Sequence, residues 1–543
     1  MTYRLLLCLL LAGAFRAPAD DRDDALLTVA ERSAFKATAT HAEVVELLDR
    51  LAAASSLVNR VALGRSGEGR EIPAVVVADP PVATPADAAA QVLERGKLVV
   101  MAIGNIHGGE VCGKEALGML ARELATTPSH PLMKDLIVIL APLYNTDGNE
   151  RFGKDNRRGQ QGPEQGMGRR TNAAGLDLNR DFINLEAPET RALVGFLKRW
   201  DPAVFIDTHT TNGSYHRYLI TYEGPKTPAG SGRLIEFTRD TMFPAITRIA
   251  NEKYNLPTFF YGNFNRAHTR WTTYEATARF GTSYVGLCNR ISILSEAYSY
   301  APYKDRVLGT RDFVKACFAF AATNKDRIRK LLADVDAETV AAGRQPREAD
   351  RVALRSEFAA APGKVSVAGY IEQPAKQSSG GSSEPRRRRP RMISTGEPKD
   401  YEVELWNHFK AAHAVRRPRA YLIPATLTGV IDKLRQHGVA LDPLAEETEI
   451  AVEIYRVDKV AHAEREWQKH RLATVEATAR TEMRSVPAGT FVVRTAQPLG
   501  NLVVYLLEPE CEDGLAAWNY FDEYLKVGAD FPVLRVTAPI RWP

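Results

Sequence analysis

The sequence has few cysteines, a small net charge and no long apolar run after its first residues. Its 543 residues include 5 cysteines, and 71 Lys+Arg against 66 Asp+Glu give a net charge of +5. The near balance of charge argues against a nucleic-acid partner, and the low cysteine content excludes a small disulfide-stabilised fold. After the N-terminus no stretch reaches the ~18 uninterrupted apolar residues that a membrane span needs, so none is expected in the mature chain.

The N-terminus differs from the rest of the chain. Residues 1–4 carry one positive charge, residues 5–15 are apolar, and Ala17-Pro18-Ala19 supplies small residues for cleavage. This layout predicts a signal peptide over residues 1–19 and a secreted or periplasmic protein. Export permits disulfides, although free buried thiols fit a large core equally well. The cysteines that remain after cleavage are Cys112, Cys288, Cys317 and Cys511.

Composition and periodicity divide the remaining chain into three parts. Residues 20–335 alternate helical and strand patterns, as an α/β domain does. Residues 336–400 contain a Ser/Gly stretch and an arginine run at 386–389, with a proline on either side of the run. This composition predicts a linker or mobile loop rather than a nucleic-acid or membrane contact. Residues 401–543 predict a smaller α+β accessory domain without a motif that indicates its role.

Apolar spacing also predicts individual elements. Strands are expected at 97–104 and 203–207, and a helix is expected at 188–200 with Pro188 in its first turn. Residues 311–332 predict one long helix. A further helical stripe is formed by Leu515, Trp518, Phe521 and Leu525.

Two of these predicted strands are followed or ended by side chains that can bind metal. His107 and Glu110, three residues apart, follow the strand at 97–104. His209 lies at the carboxyl end of the other strand, two residues after 203–207. Open α/β sheets build their sites at the carboxyl ends of strands. Two histidines and one glutamate form the three-ligand set of a catalytic zinc, which leaves a fourth position for water. The pattern predicts one Zn²⁺ per chain.

Further motifs in the same order resemble those of the zinc metallocarboxypeptidase family, the carboxypeptidase A type. The resemblance extends from about Gly64 to Ala301 and implies a mixed central sheet flanked by helices. The sequence departs from the family pattern at Thr146, where the family has proline, and at Asp181, where it has asparagine. The matching segments are residues 64–72, His107 with Glu110, residues 145–148, residues 177–182, residues 188–190, His209 and residues 294–296.

The resemblance implies a role for each matched position. It implies that His107, Glu110 and His209 bind zinc and that Asp177 hydrogen-bonds His107, which fixes its tautomer. Glu296 would be the general base for the attacking water and would deliver the proton to the leaving amine. The oxyanion would be stabilised by Arg170, with Arg169 as the competing choice.

The resemblance also implies how substrate binds. Asn179 and Arg180 would bind a terminal carboxylate, the arginine through a bidentate contact. The family has a tyrosine a little over twenty residues before its catalytic glutamate, and both Tyr274 and Tyr284 are candidates for it. The expected partner is therefore a peptide or acyl-amino-acid substrate with a free C-terminal carboxylate.

Three other functions compete with a metallocarboxypeptidase. The first is a zinc amidase or peptidase acting on N-acyl amino acids or cell-wall peptides at the same site. The second is a non-catalytic carboxypeptidase-like binding domain, although a pure binder needs no Glu296. The third is a phosphate loop at residues 108–115, which nearly matches the nucleotide-binding pattern but has Glu115 where a hydroxyl must hold magnesium.

Overall fold

We describe the protein from a computed structural model, which places residues 24–375 and 392–540. The predicted signal peptide and the arginine run at 386–389 lie outside these residues. Within the two described ranges, no helix combines the length and the hydrophobicity required to cross a bilayer.

The N-terminal half is built on an eight-stranded sheet with the order β1-β2-β4-β3-β5-β10-β6-β7. Strands β4, β3, β5 and β10 are parallel neighbours, whereas β1–β2, β2–β4 and β10–β6 pair antiparallel. The sheet is therefore mixed, and the predicted fold class is confirmed. Its strands are β1 (Val58–Arg65), β2 (Glu71–Val77), β3 (Leu98–Gly104), β4 (Leu136–Ala141), β5 (Val204–Thr211), β6 (Ile220–Glu223), β7 (Thr258–Phe260) and β10 (Ile291–Tyr298).

Helices cover both faces of this sheet. Alternate residues of β3 point to opposite faces: Met101 and Ile103 join one apolar cluster, and Val100 and Ala102 join the other. Burial on both faces explains why this strand is an unbroken apolar run in the sequence. The helices of the described chain are α1 (Val29–Arg32), α2 (His41–Ala54), α3 (Pro85–Arg95), α4 (Cys112–Thr126), α5 (Thr146–Asn149), α6 (Pro188–Trp200), α7 (Gly232–Glu236), α8 (Phe243–Tyr254), α9 (Gly281–Leu287), α10 (Tyr303–Thr323), α11 (Lys325–Arg344), α12 (Thr428–His437) and α13 (Gly500–Leu507).

Three further sheets contain the strands of the C-terminal region, and one of these sheets also includes two short strands from residues 263–272 of the N-terminal half. Six strands take the order β16-β19-β15-β20-β17-β18, four take the order β12-β13-β9-β8, and β11 pairs with β14. The strands are β8 (Asn263–Phe264), β9 (Arg270–Thr272), β11 (Arg351–Ala359), β12 (Lys364–Pro374), β13 (Met392–Trp406), β14 (His408–Arg416), β15 (Ala420–Ile423), β16 (Asp442–Pro443), β17 (Thr448–His462), β18 (Ala473–Val486), β19 (Phe491–Arg494) and β20 (Leu534–Val536).

The two regions share one hydrophobic core. Val430 and Leu434 of α12 belong to the same buried cluster as Leu193 and Phe196 of α6. All residues of α13 are buried as well. The C-terminal region therefore covers a face of the N-terminal half instead of standing apart from it.

The predicted linker at 336–400 is wrong for its described part. This segment contains the end of α11, strands β11 and β12, and the start of β13. Val352 and Leu354 of β11 are buried in the shared core, and β13 pairs in parallel with β9 of the N-terminal half. The polar composition that suggested a linker belongs mainly to residues 376–391, which lie outside the described residues.

Two predicted helices also differ from the structure. The helix expected at 311–332 is divided between α10 and α11, which meet at Asn324. The backbone of Asn324, with φ −112° and ψ 18°, departs from helical values, and its side chain donates a 2.9 Å hydrogen bond to the Phe320 carbonyl. The stripe from Leu515 to Leu525 lies in successive turns, because its spacing reports burial of these side chains and not their backbone hydrogen bonds.

The four cysteines in the described residues are free thiols. Cys112, Cys317 and Cys511 are buried, and Cys288 is half-buried. Of the two alternatives left open by the sequence, the structure has the unpaired one, as a core of this size allows.

Candidate active site

The three predicted metal ligands lie at the carboxyl ends of neighbouring strands. After β3 the chain turns at Asn105, whose φ of 64° is left-handed, and presents His107 and Glu110 just before α4 begins. His209 lies near the end of β5, which pairs in parallel with β3. All three side chains are buried and can each aim one ligand atom at a shared point, with these atoms within 4.8 Å of one another.

The donor set fits a zinc ion. Nδ1 of His107 lies 3.0 Å from Oε1 of Glu110, yet it is buried and makes no hydrogen bond within the described protein. Nδ1 of His209 lies 3.1 Å from Oε2 of the same glutamate. Two imidazole nitrogens and a carboxylate that converge on one point are the ligand types that zinc takes in catalytic sites.

Each histidine also contacts a carboxylate with its other ring nitrogen. Nε2 of His107 lies 3.0 Å from Oδ1 of Asp177, and Nε2 of His209 lies 2.8 Å from Oδ2 of Asp207. Such contacts orient a ligating imidazole and select its tautomer. Burial opposes ionisation of Asp177, but His107, Arg170 and Arg180 outweigh it and hold its pKa well below the usual range.

Two of the predicted turn motifs hold the backbone of the segment that carries His107 and Glu110. Nδ2 of Asn145 donates to the carbonyls of Ile106, at 3.1 Å, and Arg170, at 3.2 Å. Next in this turn, Asp147 is buried and accepts hydrogen bonds from Ser66 and Arg70, both at 2.7 Å. The segment at 64–72 therefore acts on the site through the turn at 145–148, which holds the backbone beside His107.

The departure from the family pattern at Asp181 has a structural role. Its carboxylate oxygens accept the backbone N–H groups of Glu186 and Ala187, each at 2.9 Å. Burial raises the pKa of Asp181 to about 6. The aspartate therefore shapes the turn that precedes α6 and does not enter the candidate site.

Glu296 lies beside the third ligand. The register of β10 and β5 pairs Glu296 with His209 directly. Its Oε2 is buried and makes no hydrogen bond within the described protein. Burial and the neighbouring Glu110 carboxylate raise the pKa of Glu296 to about 8, although His209 lowers it. A carboxyl group with a raised pKa and a free oxygen is suited to accepting a proton.

These groups open into a cavity of about 660 Å³, which is also lined by Arg170, Asn179 and Arg180. The Arg180 guanidinium lies 4.2 Å from the centre of the Phe280 ring. Asn179 is anchored because its Oδ1 accepts the N–H of Gly281 at 2.9 Å. Both side chains are thus held at the wall of the cavity, where an incoming anion would meet them.

The structure distinguishes between the two candidate arginines. Nε of Arg170 donates to Asp177 at 2.8 Å, and its Nη1 lies 3.7 Å from Oε1 of Glu110. Both arginines are exposed, but Arg170 lines the cavity and Arg169 is not among its lining residues. Of the two candidates, Arg170 is therefore the one that lies at the cavity.

The structure also separates the two tyrosine candidates. Tyr274 lines the cavity, and its hydroxyl lies 2.8 Å from Thr282 Oγ1. The prediction for Tyr284 is wrong, because its hydroxyl lies 2.9 Å from Nδ1 of His437 and its ring packs against Phe182. The position of Tyr284 in helix α9, behind the cavity wall, explains this difference.

Two site residues were missed in the sequence. Arg157 donates to Oε1 of Glu110 at 2.8 Å and to the Thr210 carbonyl at 2.7 Å, and its loop has no recognisable pattern. Asp207 could have been found, because residues two apart on a strand share a face and it precedes His209 by two.

The phosphate-loop alternative is incompatible with the packing of its key residues. Lys114 is buried, with Nζ 2.7 Å from Oδ1 of Asn149, and Oε1 of Glu115 accepts from Thr38 and Ala39, both at 2.7 Å. Both side chains attach the N-terminal segment to α4, because Lys114 also donates to the Ala39 carbonyl, and their polar atoms are already engaged in protein contacts.

A buried His-Glu-His cluster with a glutamate beside it, at the carboxyl edge of a mixed sheet, is typical of a mononuclear zinc hydrolase. Residues 44–234 match the family model described as Zinc carboxypeptidase. This segment is therefore a zinc carboxypeptidase domain, and for it the predicted family and enzyme class, a zinc metallocarboxypeptidase, are confirmed.

Individual relatives cover the chain to different extents. Carboxypeptidase 2 from Trichophyton tonsurans is 22% identical over 477 residues, which are 81% of this chain and 77% of the relative. Carboxypeptidase D from Mus musculus is 35% identical over 178 residues, but these are only 28% of this chain and 13% of that protein.

Solved structures have lower sequence identity to this chain than the relatives named above. Carboxypeptidase A from Helicoverpa armigera aligns with a TM-score of 0.40 and 17% identity, covering 56% of this chain and 80% of its own. A metallo-carboxypeptidase from Burkholderia cenocepacia aligns with a TM-score of 0.38 and 18% identity, over 52% of this chain and 68% of its own.

The ligand cluster leads to a direct test of metal binding. The wild-type protein, purified without chelator, is expected to contain one zinc per chain. The His107→Ala/His209→Ala double variant should contain almost none, because a single carboxylate cannot retain the ion. Elemental analysis measures both. His413→Ala, which removes a half-exposed histidine on β14, is the control and should keep its zinc. Full occupancy in the double variant would contradict the assignment.

Proposed function

We propose that this protein is a carboxypeptidase that hydrolyses the peptide or amide bond next to a free C-terminal carboxylate. The observation that carries the proposal is that one cavity contains three kinds of group: the His-Glu-His cluster, Glu296, and the pair Asn179 and Arg180. A binding module would need the last pair but no proton acceptor beside the metal ligands.

Zinc, when bound by His107, Glu110 and His209, would lower the pKa of a water molecule and polarise the scissile carbonyl. Glu296 is placed to take a proton from the attacking water at its free Oε2. The same carboxyl group would then pass the proton to the nitrogen of the leaving amine, so that the base becomes the acid in the second half of the reaction.

Arg170 supplies the positive charge that the developing oxyanion requires. Its guanidinium is held in place by Asp177 and faces Glu110. Because this donor group is fixed before substrate binds, little reorganisation is needed when negative charge develops on the carbonyl oxygen.

Asn179 and Arg180 would decide which bond is cleaved. A planar guanidinium can bind both oxygens of a carboxylate, and Phe280 and the Asn179 carbonyl fix the orientation of Arg180. A substrate anchored by its terminal carboxylate has its last peptide bond next to the metal ligands. A peptide and an N-acyl amino acid share this anchor, so both belong to the proposed substrate class.

Substitution of the base tests the mechanism. Glu296→Gln should keep the fold and the zinc but lose ~10²–10⁴-fold in kcat, which is the usual contribution of proton transfer by a positioned side chain. The measurements are turnover of a peptide with a free C-terminus and zinc content of the same sample. Near-normal turnover at full zinc occupancy would show that another group is the base.

Substitution of the anchor tests the polarity of cleavage. Arg180→Met should weaken kcat/KM for substrates with a free carboxylate by ~2–5 kcal/mol, the typical cost of removing one partner of a buried charge pair. Amidated peptides should be poor substrates for wild type and variant alike. Arg180→Lys should restore activity only in part, because an ammonium cannot form the two-pronged contact.

The matched control is Arg169→Met, which removes a neighbouring arginine outside the cavity and should leave turnover unchanged. Product analysis by mass spectrometry, with free peptides, amidated peptides and N-acyl amino acids, measures the preference. Equal cleavage of free and amidated peptides by the wild-type protein, unchanged in both Arg180 variants, would instead indicate an endopeptidase or an amidase of another kind.

A further inference from the structure

We infer that Gln468, in the C-terminal region, is a positioning residue for the metal centre and acts by holding the backbone of Asp177. This inference rests on the proposed function, because it assumes that His107 binds the metal. Gln468 lies at the tip of the hairpin formed by β17 and β18, far in sequence from the ligands. It gives the C-terminal region a specific role at the site.

The contact is a two-point clamp on a single residue. The Asp177 N–H donates to Oε1 of Gln468 at 3.1 Å, and Nε2 of Gln468 donates to the Asp177 carbonyl at 2.9 Å. Both ends of one side-chain amide are therefore used on one peptide backbone. Movement of Asp177 along or across the chain would break at least one of these bonds.

Only Asp177 separates Gln468 from the predicted ligand. Oδ1 of Asp177 lies 3.0 Å from Nε2 of His107 and also accepts the N–H of Asn179 at 3.0 Å. Its other oxygen accepts from Arg170. The backbone position of Asp177 thus fixes the orientation of an imidazole, of the substrate-facing Asn179 and of the arginine assigned to the oxyanion.

The backbone of the hairpin tip adopts an unusual conformation at Gln468 and is closed by its own hydrogen bonds. Gln468 and Lys469 have φ values of 50° and 66°, a left-handed conformation that is unfavourable for residues with a side chain. Backbone hydrogen bonds between Trp467 and His470, at 2.8 and 2.9 Å, close the turn. Nε2 of His470 then lies 2.9 Å from Oε1 of Glu186, which ties the tip to the same loop of the N-terminal half.

Other groups of the C-terminal region hold the loop that follows Asp177. Nζ of Lys433 donates to the Leu185 carbonyl at 3.0 Å, and Nε2 of His437 lies 3.0 Å from the Ile183 carbonyl. These contacts stabilise the loop in general. Gln468 differs from them because it binds Asp177, which itself contacts the predicted ligand His107, so its removal should change the metal site more than the stability.

The test compares full-length variants. Gln468→Ala removes the clamp, and Gln468→Met keeps the length of the side chain without its amide. Gln497→Ala is the matched control, because Gln497 makes the same two-point contact with the backbone of Ala440, at 2.9 and 3.1 Å, away from the cavity. Zinc affinity is measured by competition with a chromophoric chelator, the ligand geometry by the visible spectrum of the Co²⁺-substituted protein, and the fold by thermal unfolding.

Both Gln468 variants are expected to bind zinc about 10-fold more weakly than wild type, the lower end of the range for groups that support metal ligands. Their Co²⁺ spectra should be altered, and their unfolding midpoints should match that of Gln497→Ala. If wild type binds zinc and the Gln468 variants equal Gln497→Ala in affinity and spectrum, the inference is overturned and the proposed function stands. If wild type binds no zinc, the proposed function fails and the inference fails with it.

Discussion

The parallel pairing of β3, β5 and β10 is the constraint on which the candidate site depends. It places Gly104 opposite Thr208 and Glu296 opposite His209, so that the ends of three strands present their side chains at one edge. Because successive strand residues alternate between faces, a shift of one position would remove Glu296 from the cavity. Such a shift would be costly because both faces of the sheet are buried. The apolar residues of these strands therefore determine where His209 and Glu296, at the strand ends, are placed.

The second requirement is compensation of buried charge. Glu110, Asp177, Asp207 and Glu296 lie within or directly around the ligand cluster, and isolated carboxylates at such depth would be strongly unfavourable. Arg157 and Arg170 compensate part of this charge through Glu110 and Asp177. Within the described ranges Glu296 forms no salt bridge, and burial keeps its pKa raised although His209, Arg157 and Arg170 lower it. The same distribution of charge thus separates the paired carboxylates from the glutamate that we propose exchanges a proton.

The part of the site that could be predicted from the sequence is the part made by short segments. His107 with Glu110, His209 and Glu296 each adjoin a strand whose apolar pattern is local, and the order of these motifs supplied their relation. Arg157 could not be predicted, because its loop has no regular pattern and its position depends on folding over Glu110. Gln468 contacts Asp177 across 291 positions, and a contact of that range depends on how two regions pack. The linker prediction failed for the same reason. Composition alone does not show that Val352 and Leu354 of β11 are buried against distant residues of the shared core.

The continuous core between the two regions has a consequence for the order in which the chain is made. A ribosome completes the segment with the metal ligands long before residues 428–507 emerge, so the face that α12 and α13 cover is exposed during much of synthesis. Chains of this size commonly pass through intermediates with exposed apolar surface. The loop that carries Asp177 and Arg180 also receives its backbone contacts from residues near the end of the chain. A chain that stopped before these residues would have the sheet and the three predicted ligands but would lack the contacts that Lys433, His437 and Gln468 make with this loop.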